Sequence, residues 1–178
     1  IIRNYSLIKN DVRVYVKTRV EFLNKHRMLK FIYPCAITEP KAFGEIPFGF
    51  KEQPTNGSEQ PMLSWCTIKD DKGGLVIAND SKYSFDADGN ELSLTVLRSP
   101  LFCDHVGVNR MYEGAEYTDQ GIHDFEYVIF PFVSFSDCKK KADELNTKPI
   151  CFQETFHKGC LKTEYSALEI SAENVTVT

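Results

Sequence analysis

Apolar and polar residues alternate with a period of two along much of this chain, and that pattern constrains its fold more than any other feature. Val12, Val14 and Val16 share one face while Arg13, Tyr15 and Lys17 share the other. Leu92, Leu94 and Val96 alternate with Ser93, Thr95 and Leu97, and Phe125, Tyr127 and Ile129 alternate with Glu126, Val128 and Phe130. Successive side chains of a strand point to opposite faces, so this period predicts strands. Val175 and Val177 repeat it near the C-terminus and predict one more. The 13 Phe and 8 Tyr point the same way, because aromatic rings suit a pleated, half-buried surface.

Turn chemistry separates the alternating runs. Gly73-Gly74 and Asp88-Gly89-Asn90 supply the backbone freedom that tight hairpins need. Residues 54–61 read as a polar loop, and residues 103–121 as a second, longer one rich in Gly, Asp and Tyr. One helix is expected over residues 137–146, capped by Ser136, with Cys138, Ala142 and Leu145 on one face. About ten short strands and one short helix predict an all-β chain: an antiparallel β-sandwich of two layers. At 178 residues it is expected to be a single domain, 1–178.

Several function classes are disfavoured. The net charge is −4 and the only cationic run is Lys139-Lys140-Lys141, so no phosphate backbone finds a matching stripe and no nucleic-acid partner is expected. No apolar run approaches the ~20 residues that span a bilayer, so no membrane partner is expected either. The chain opens at Ile1 in strand-like sequence with no signal-peptide pattern, and we expect it to be excised from a longer protein.

The six cysteines (35, 66, 103, 138, 151 and 160) sit singly, with no Cys-x-x-Cys pair. Free thiols in a reducing cytoplasm are the plain expectation, and an even count leaves a disulfide framework open. Asn4, Asn56, Asn79 and Asn174 are glycosylation sequons that matter only in a secreted chain. His26, His105, His123 and His157 form no His-x-x-x-His or His-x-Asp arrangement, so no metal ligand is assigned. In residues 86–91 the glycine comes too early for a calcium loop and reads as a hairpin corner. No Ser nucleophile elbow, Cys–His signature or phosphate loop is present, and no catalytic residue is assigned.

One cluster invites a binding role. Asn79-Asp80-Ser81-Lys82-Tyr83, Leu97-Arg98-Ser99-Pro100 and Asp119-Gln120-Gly121-Ile122-His123 each place charged or amide groups at a strand end. Arg98 could fork onto a carboxylate or a pair of hydroxyls. Asp80, Lys82, Arg98 and His123 are therefore the candidate pocket residues. The plainer alternative makes Asp80 and Lys82 turn residues and Arg98 a structural ion-pair partner.

These stretches resemble the C-terminal β region of family 38 glycoside hydrolases, the α-mannosidases of the cytosolic and bacterial branch. The residues from Val20 through Glu21-Phe22-Leu23-Asn24-Lys25-His26 to Lys30 resemble that family's D-W-x-E-K-H-x-L-L-K strand pair, with Phe22-Leu23 departing from the usual aromatic order. Glu45-Ile46-Pro47-Phe48-Gly49 resembles E-I-P-F-G, and Pro54-Thr55-Asn56 followed by Trp65 resembles the family's Pro-Thr loop and tryptophan. Gly74 to Tyr83 resembles G-V-A-L-L-N-D-C-K-Y-G. Leu92-Ser93-Leu94 through Leu97-Arg98-Ser99-Pro100 resembles L-S-L-L-R-A/S-P, and Gly121-Ile122-His123-Asp124-Phe125-Glu126-Tyr127 resembles G-x-H-x-F-x-Y. The likeness runs from about Val20 to His157.

The resemblance implies a galactose-mutarotase-like supersandwich in the C-terminal half of a retaining α-mannosidase. It also implies a zinc ion, an Asp nucleophile and an acid/base carboxylate, all in an N-terminal catalytic domain outside this chain. The implied partners are that domain and a mannose-containing glycan, and the implied location is cytoplasmic. The β region would pack on the catalytic domain and help wall its pocket. Val128, Phe130 and Phe132 oppose Tyr127, Ile129 and Val133, so one apolar face is expected to lie exposed for the missing domain or a neighbouring β layer, with Arg98 and the 103–121 loop along its edge. The alternative is an independent carbohydrate-binding β-sandwich, which predicts an exposed aromatic platform and sugar binding by the chain alone.

Overall fold

The computed structural model describes residues 1–101, 116–160, 162–172 and 175. The alternating runs become strands: β1 (Ile2–Leu7), β2 (Val14–Phe22), β3 (Met28–Pro34), β4 (Lys41–Ile46), β5 (Gly49–Gln53) and β6 (Gln60–Pro61). They continue as β7 (Trp65–Lys69), β8 (Gly74–Asn79), β9 (Ser84–Asp88), β10 (Glu91–Arg98) and β11 (Gly121–Pro131), followed by the helix α1 (Phe135–Asn146). Two sheets result, one of seven strands in the order β1-β2-β11-β8-β7-β4-β5 and one of four in the order β3-β10-β9-β6. Pairing is antiparallel throughout, as for β2 with β11 and β9 with β10.

The core lies between the sheets. Val16, Val20 and Tyr127 of the larger sheet meet Phe31, Phe85 and Leu94 of the smaller one, all buried. These are the inward positions of the two-residue period, which is why the alternation fixed their faces. The turns follow their chemistry: Asp70 N donates to Gly73 O at 2.9 Å, and Gly89 takes φ +54 between Asp88 and Glu91. In β10 a bulge between Thr95 and Leu97 inserts one residue against β3. Leu97, expected opposite Leu92, Leu94 and Val96, is thereby turned into the same core as they are.

The outer face of the large sheet is covered over β7, β8 and the second half of β11, while Ile122 at the start of β11 stays exposed. The chain's own helix lies on it, and Cys138, Ala142 and Leu145 pack over Trp65, Val128 and Phe130. This corrects the expectation that another domain or β layer must cover that face at Val128 and Phe130: there the cover comes from within the chain. The helix is tethered by Arg13 to Glu144 at 2.7 Å, and by Asn146 Nδ2 donating to Asn79 O at 3.1 Å. It starts at Phe135, and its cap is Ser134 rather than Ser136. Ser134 is extended, and its Oγ accepts from Asp137 N at 3.1 Å, three residues on as a cap requires.

The C-terminal alternation forms no strand at Val175, and Val177 lies outside the described residues. Phe152 and Phe156 in the preceding irregular stretch are exposed, so period alone found no sheet to join. Among the described residues no helix is long and apolar enough to cross a membrane. Cys35, Cys66, Cys138, Cys151 and Cys160 are free, and Cys103 lies outside the described residues. Burial raises the Cys138 thiol to about 12 and lifts Cys66 well above its ordinary value.

Candidate functional site

A cleft of about 550 Å³ opens where three chain segments meet, and its walls include Lys82, Tyr83, Arg98, Asp119 and His123. Each segment is positioned by an identifiable device. Residues 80–83 carry the chain from β8 in the large sheet to β9 in the small one. Buried Asn79 organises that crossing: its Oδ1 accepts from Ser81 N at 3.0 Å and also from Lys82 N, an Asx turn. The sequon at Asn79 is thus a buried turn residue, closed to a glycan.

Arg98 ends β10. Next to it, buried Ser99 binds the β2–β3 turn, donating its N–H to Arg27 O at 2.9 Å and accepting from Arg27 N at 3.1 Å. Asp119 takes a left-handed φ of +53, which Asp tolerates better than most residues. In that conformation its Oδ2 accepts from Arg98 N at 2.9 Å, while Thr118 Oγ1 donates to Arg98 O at 3.0 Å. Arg98 is therefore held by its backbone. Its side chain is exposed on the cleft and makes no hydrogen bond or ion pair among the described residues.

His123 on β11 completes the wall. Its Nε2 lies 3.1 Å from Asp119 O, and a carbonyl can only accept, so Nε2 carries the proton and Nδ1 is the open acceptor of the neutral ring. Lys82 is half-buried, with Nζ 4.4 Å from the centroid of the Phe125 ring. Burial lowers its ammonium below the usual lysine value, and the negative charges of Asp119 and Asp80 offset only part of that.

A polar network stiffens the far wall. Glu59 accepts from Ser84 Oγ at 2.6 Å and Thr95 Oγ1 at 2.7 Å, and pairs with Lys30, which also binds Asp86 at 2.7 Å. Burial would raise the Glu59 carboxyl, but these donors hold it below the usual carboxylate range. Glu59 comes from the 54–61 loop. Nothing in that loop's composition shows that it folds back across the smaller sheet, so the sequence hid this contribution.

The structure brings together three of the four candidate residues, Lys82, Arg98 and His123. Asp80 faces a second cleft beside Lys17, Arg19 and Glu126. There its Oδ2 accepts from Glu126 N at 3.0 Å and its own N donates to Glu126 O at 3.2 Å, which extends the pairing of β8 with β11. Residues 102–115 of the long loop expected near Arg98 lie outside the described residues. Tyr83 and Asp119 also line the cleft; both lie in the strand-end stretches named above, outside the four candidate residues.

Among the described residues no three His, Cys, Asp or Glu groups converge in a way that could hold a metal ion.

A family model described as the glycosyl hydrolases family 38 C-terminal domain matches residues 1–106. Alpha-mannosidase 2C1 of Mus musculus is 30% identical over 122 residues, covering 64% of this chain and 11% of the mouse protein. The alpha-mannosidase of Saccharomyces cerevisiae is 30% identical over 156 residues, covering 79% of this chain and 13% of the yeast protein. The chain thus spans roughly a tenth of the length of these relatives. Two solved Enterococcus faecalis structures share its fold at 14% identity. An alpha-mannosidase superposes with a TM-score of 0.60 over 72% of this chain and 15% of its own, and a glycosyl hydrolase family 38 protein with 0.63 over 79% and 17%.

Proposed function

Because the chain belongs to the C-terminal domain of the family 38 glycosyl hydrolases, we propose that it is a non-catalytic β domain of a retaining α-mannosidase. In this reading it supports an N-terminal catalytic domain and lends the Lys82–Arg98–His123 cleft to the wall of the pocket for a terminal mannose. The observation that carries the proposal is the convergence itself: three separate segments deliver polar side chains to one cleft. Arg98 and Lys82 reach it with no carboxylate bound to their side chains among the described residues.

The chemistry suits a sugar. The Arg98 guanidinium offers a rigid fork of donors that can span two adjacent hydroxyls. Lys82 offers three donors, His123 Nδ1 can accept, and Asp119 keeps one carboxylate oxygen beyond the one that holds Arg98 N. Such groups bind and orient a glycan, but none is placed as a nucleophile with a base beside it. Cleavage would fall to a carboxylate pair on the catalytic domain, and zinc would belong there as well. A cytoplasmic location fits the five free cysteines.

The second reading, an independent carbohydrate-binding module, is favoured by one observation: Tyr83 stands exposed on the same cleft. The two readings share the cleft and differ in whether a catalytic domain completes it. The 178-residue chain is expected to turn over no aryl α-mannoside, with or without added zinc. Turnover above a metal-free blank would overturn the non-catalytic assignment.

A further inference from the structure

We propose that Tyr83 is a stacking platform for a pyranose ring, so that the cleft holds a terminal hexopyranoside against this ring and the Lys82, Arg98 and His123 side chains. The proposal rests on the reading of the cleft as a mannoside wall, and it assigns the apolar half of that recognition.

Tyr83 is 66% exposed although it lines a cleft. Among the described residues its ring stacks on no other ring and its hydroxyl finds no hydrogen-bond partner. Its backbone, by contrast, is fixed. Tyr83 O accepts from Met62 N at 3.0 Å, and the two residues before it are pinned to Asn79. A short polar residue would serve a turn equally well. A large ring on a rigid crossing, left open to water beside three polar side chains, is the pattern of a binding contact rather than of packing.

A pyranose has the matching anatomy. Its C–H face carries the slight positive charge that the negative face of an aromatic ring attracts, and its rim carries hydroxyls that both donate and accept. The polar side of the cleft supplies both kinds of partner, donors on Arg98 and Lys82 and acceptors on Asp119 and His123. Asp119 offsets part of the Lys82 charge and Glu59 is paired with Lys30, so the walls set donors and an acceptor side by side, as a polyol requires. The cleft volume lies within the range of small-ligand sites, about 300–1,000 Å³.

The test titrates the 178-residue chain with methyl α-D-mannopyranoside and follows backbone amide shifts in wild type, Tyr83→Ala and Tyr83→Phe. The wild type should bind in the millimolar range, with shifts centred on Lys82, Tyr83, Arg98 and His123. Tyr83→Ala should weaken binding about tenfold or more, and Tyr83→Phe should stay within about twofold, at an unchanged melting temperature. Three results would overturn the platform: no shift in the cleft at about 100 mM sugar, equal affinity for Tyr83→Ala and wild type, or a phenylalanine variant as weak as alanine. Kinetics of Arg98→Ala in the full-length enzyme separate this from the parent reading. Lost activity with no sugar binding at Tyr83 removes the platform alone. Unchanged activity with Tyr83-dependent binding supports the platform and removes the pocket wall.

Discussion

Replacing Lys30 with Met should reveal how much the network behind the cleft contributes to stability. Lys30 reaches from β3 to Asp86 on β9 at 2.7 Å and to Glu59 from the loop between β5 and β6. The Asp86 side chain is 7% exposed, Lys30 26% and Glu59 33%. Methionine keeps most of the aliphatic stem but strands a nearly buried carboxylate. Removing one partner of a buried pair costs about 3–5 kcal/mol, and the partial exposure of Lys30 and Glu59 brings the expectation down to about 2–3 kcal/mol. At about 2–4 °C per kcal/mol for a chain of this size, the melting temperature should fall by about 4–12 °C.

The loss should also depend on pH. The folded Glu59 carboxyl lies below its unfolded value because Lys30, Ser84 and Thr95 outweigh the effect of burial. Its contribution is therefore present above the unfolded pKa of about 4.3 and fades as pH falls through the lower folded value. The gap between wild type and Lys30→Met should be full near neutrality and narrow as acid protonates Glu59. Urea unfolding at neutral and acid pH measures both quantities. A neutral-pH loss below about 0.5 kcal/mol, in the range of an ordinary surface pair, would refute the reasoning. So would a gap that holds or widens on acidification.

Other positions give sharper local tests. A Cβ at Gly44 would sit 2.7 Å from Cε1 of buried Phe85, so Gly44→Ala should cost about 1–3 kcal/mol in a thermal melt, and an unchanged melt would contradict that close approach of the two sheets. Ser134→Ala should cost about 1 kcal/mol through loss of the helix cap, read by the same melt. Native alkylation followed by peptide mapping should label exposed Cys151 and Cys160 quickly, and buried Cys66 and Cys138 only on unfolding. Equal rates at all four would contradict the described burial.

Much of the fold was legible because β structure writes its faces into the sequence at period two. Val16, Leu94 and Tyr127 needed only one buried side to declare themselves. Leu97 was misplaced because a bulge shifts the phase by one residue, and nothing local marks where it occurs. The covering of β11 was missed for a different reason. The amphipathic stripe of the helix was visible, but not the sheet face on which Cys138, Ala142 and Leu145 would land. At the site, strand-end chemistry brought out Lys82, Arg98 and His123. Asp80 carries the same chemistry, but it is turned to the backbone of Glu126, which depends on the pairing of β8 with β11. Glu59 and Tyr83 depend on how loops cross between sheets, which composition does not encode.

The central claim is that this domain's cleft helps hold the mannoside in an α-mannosidase. Arg98→Ala in the full-length enzyme tests it most directly, because the hydrogen bonds that fix Arg98 come from its backbone and survive the substitution. With kcat/KM and melting temperature measured together, the account predicts a fall in kcat/KM of about tenfold or more, the weight of one or two charge-assisted hydrogen bonds, at a nearly unchanged melting temperature. Unchanged kinetics, or a loss that unfolding fully explains, would contradict it.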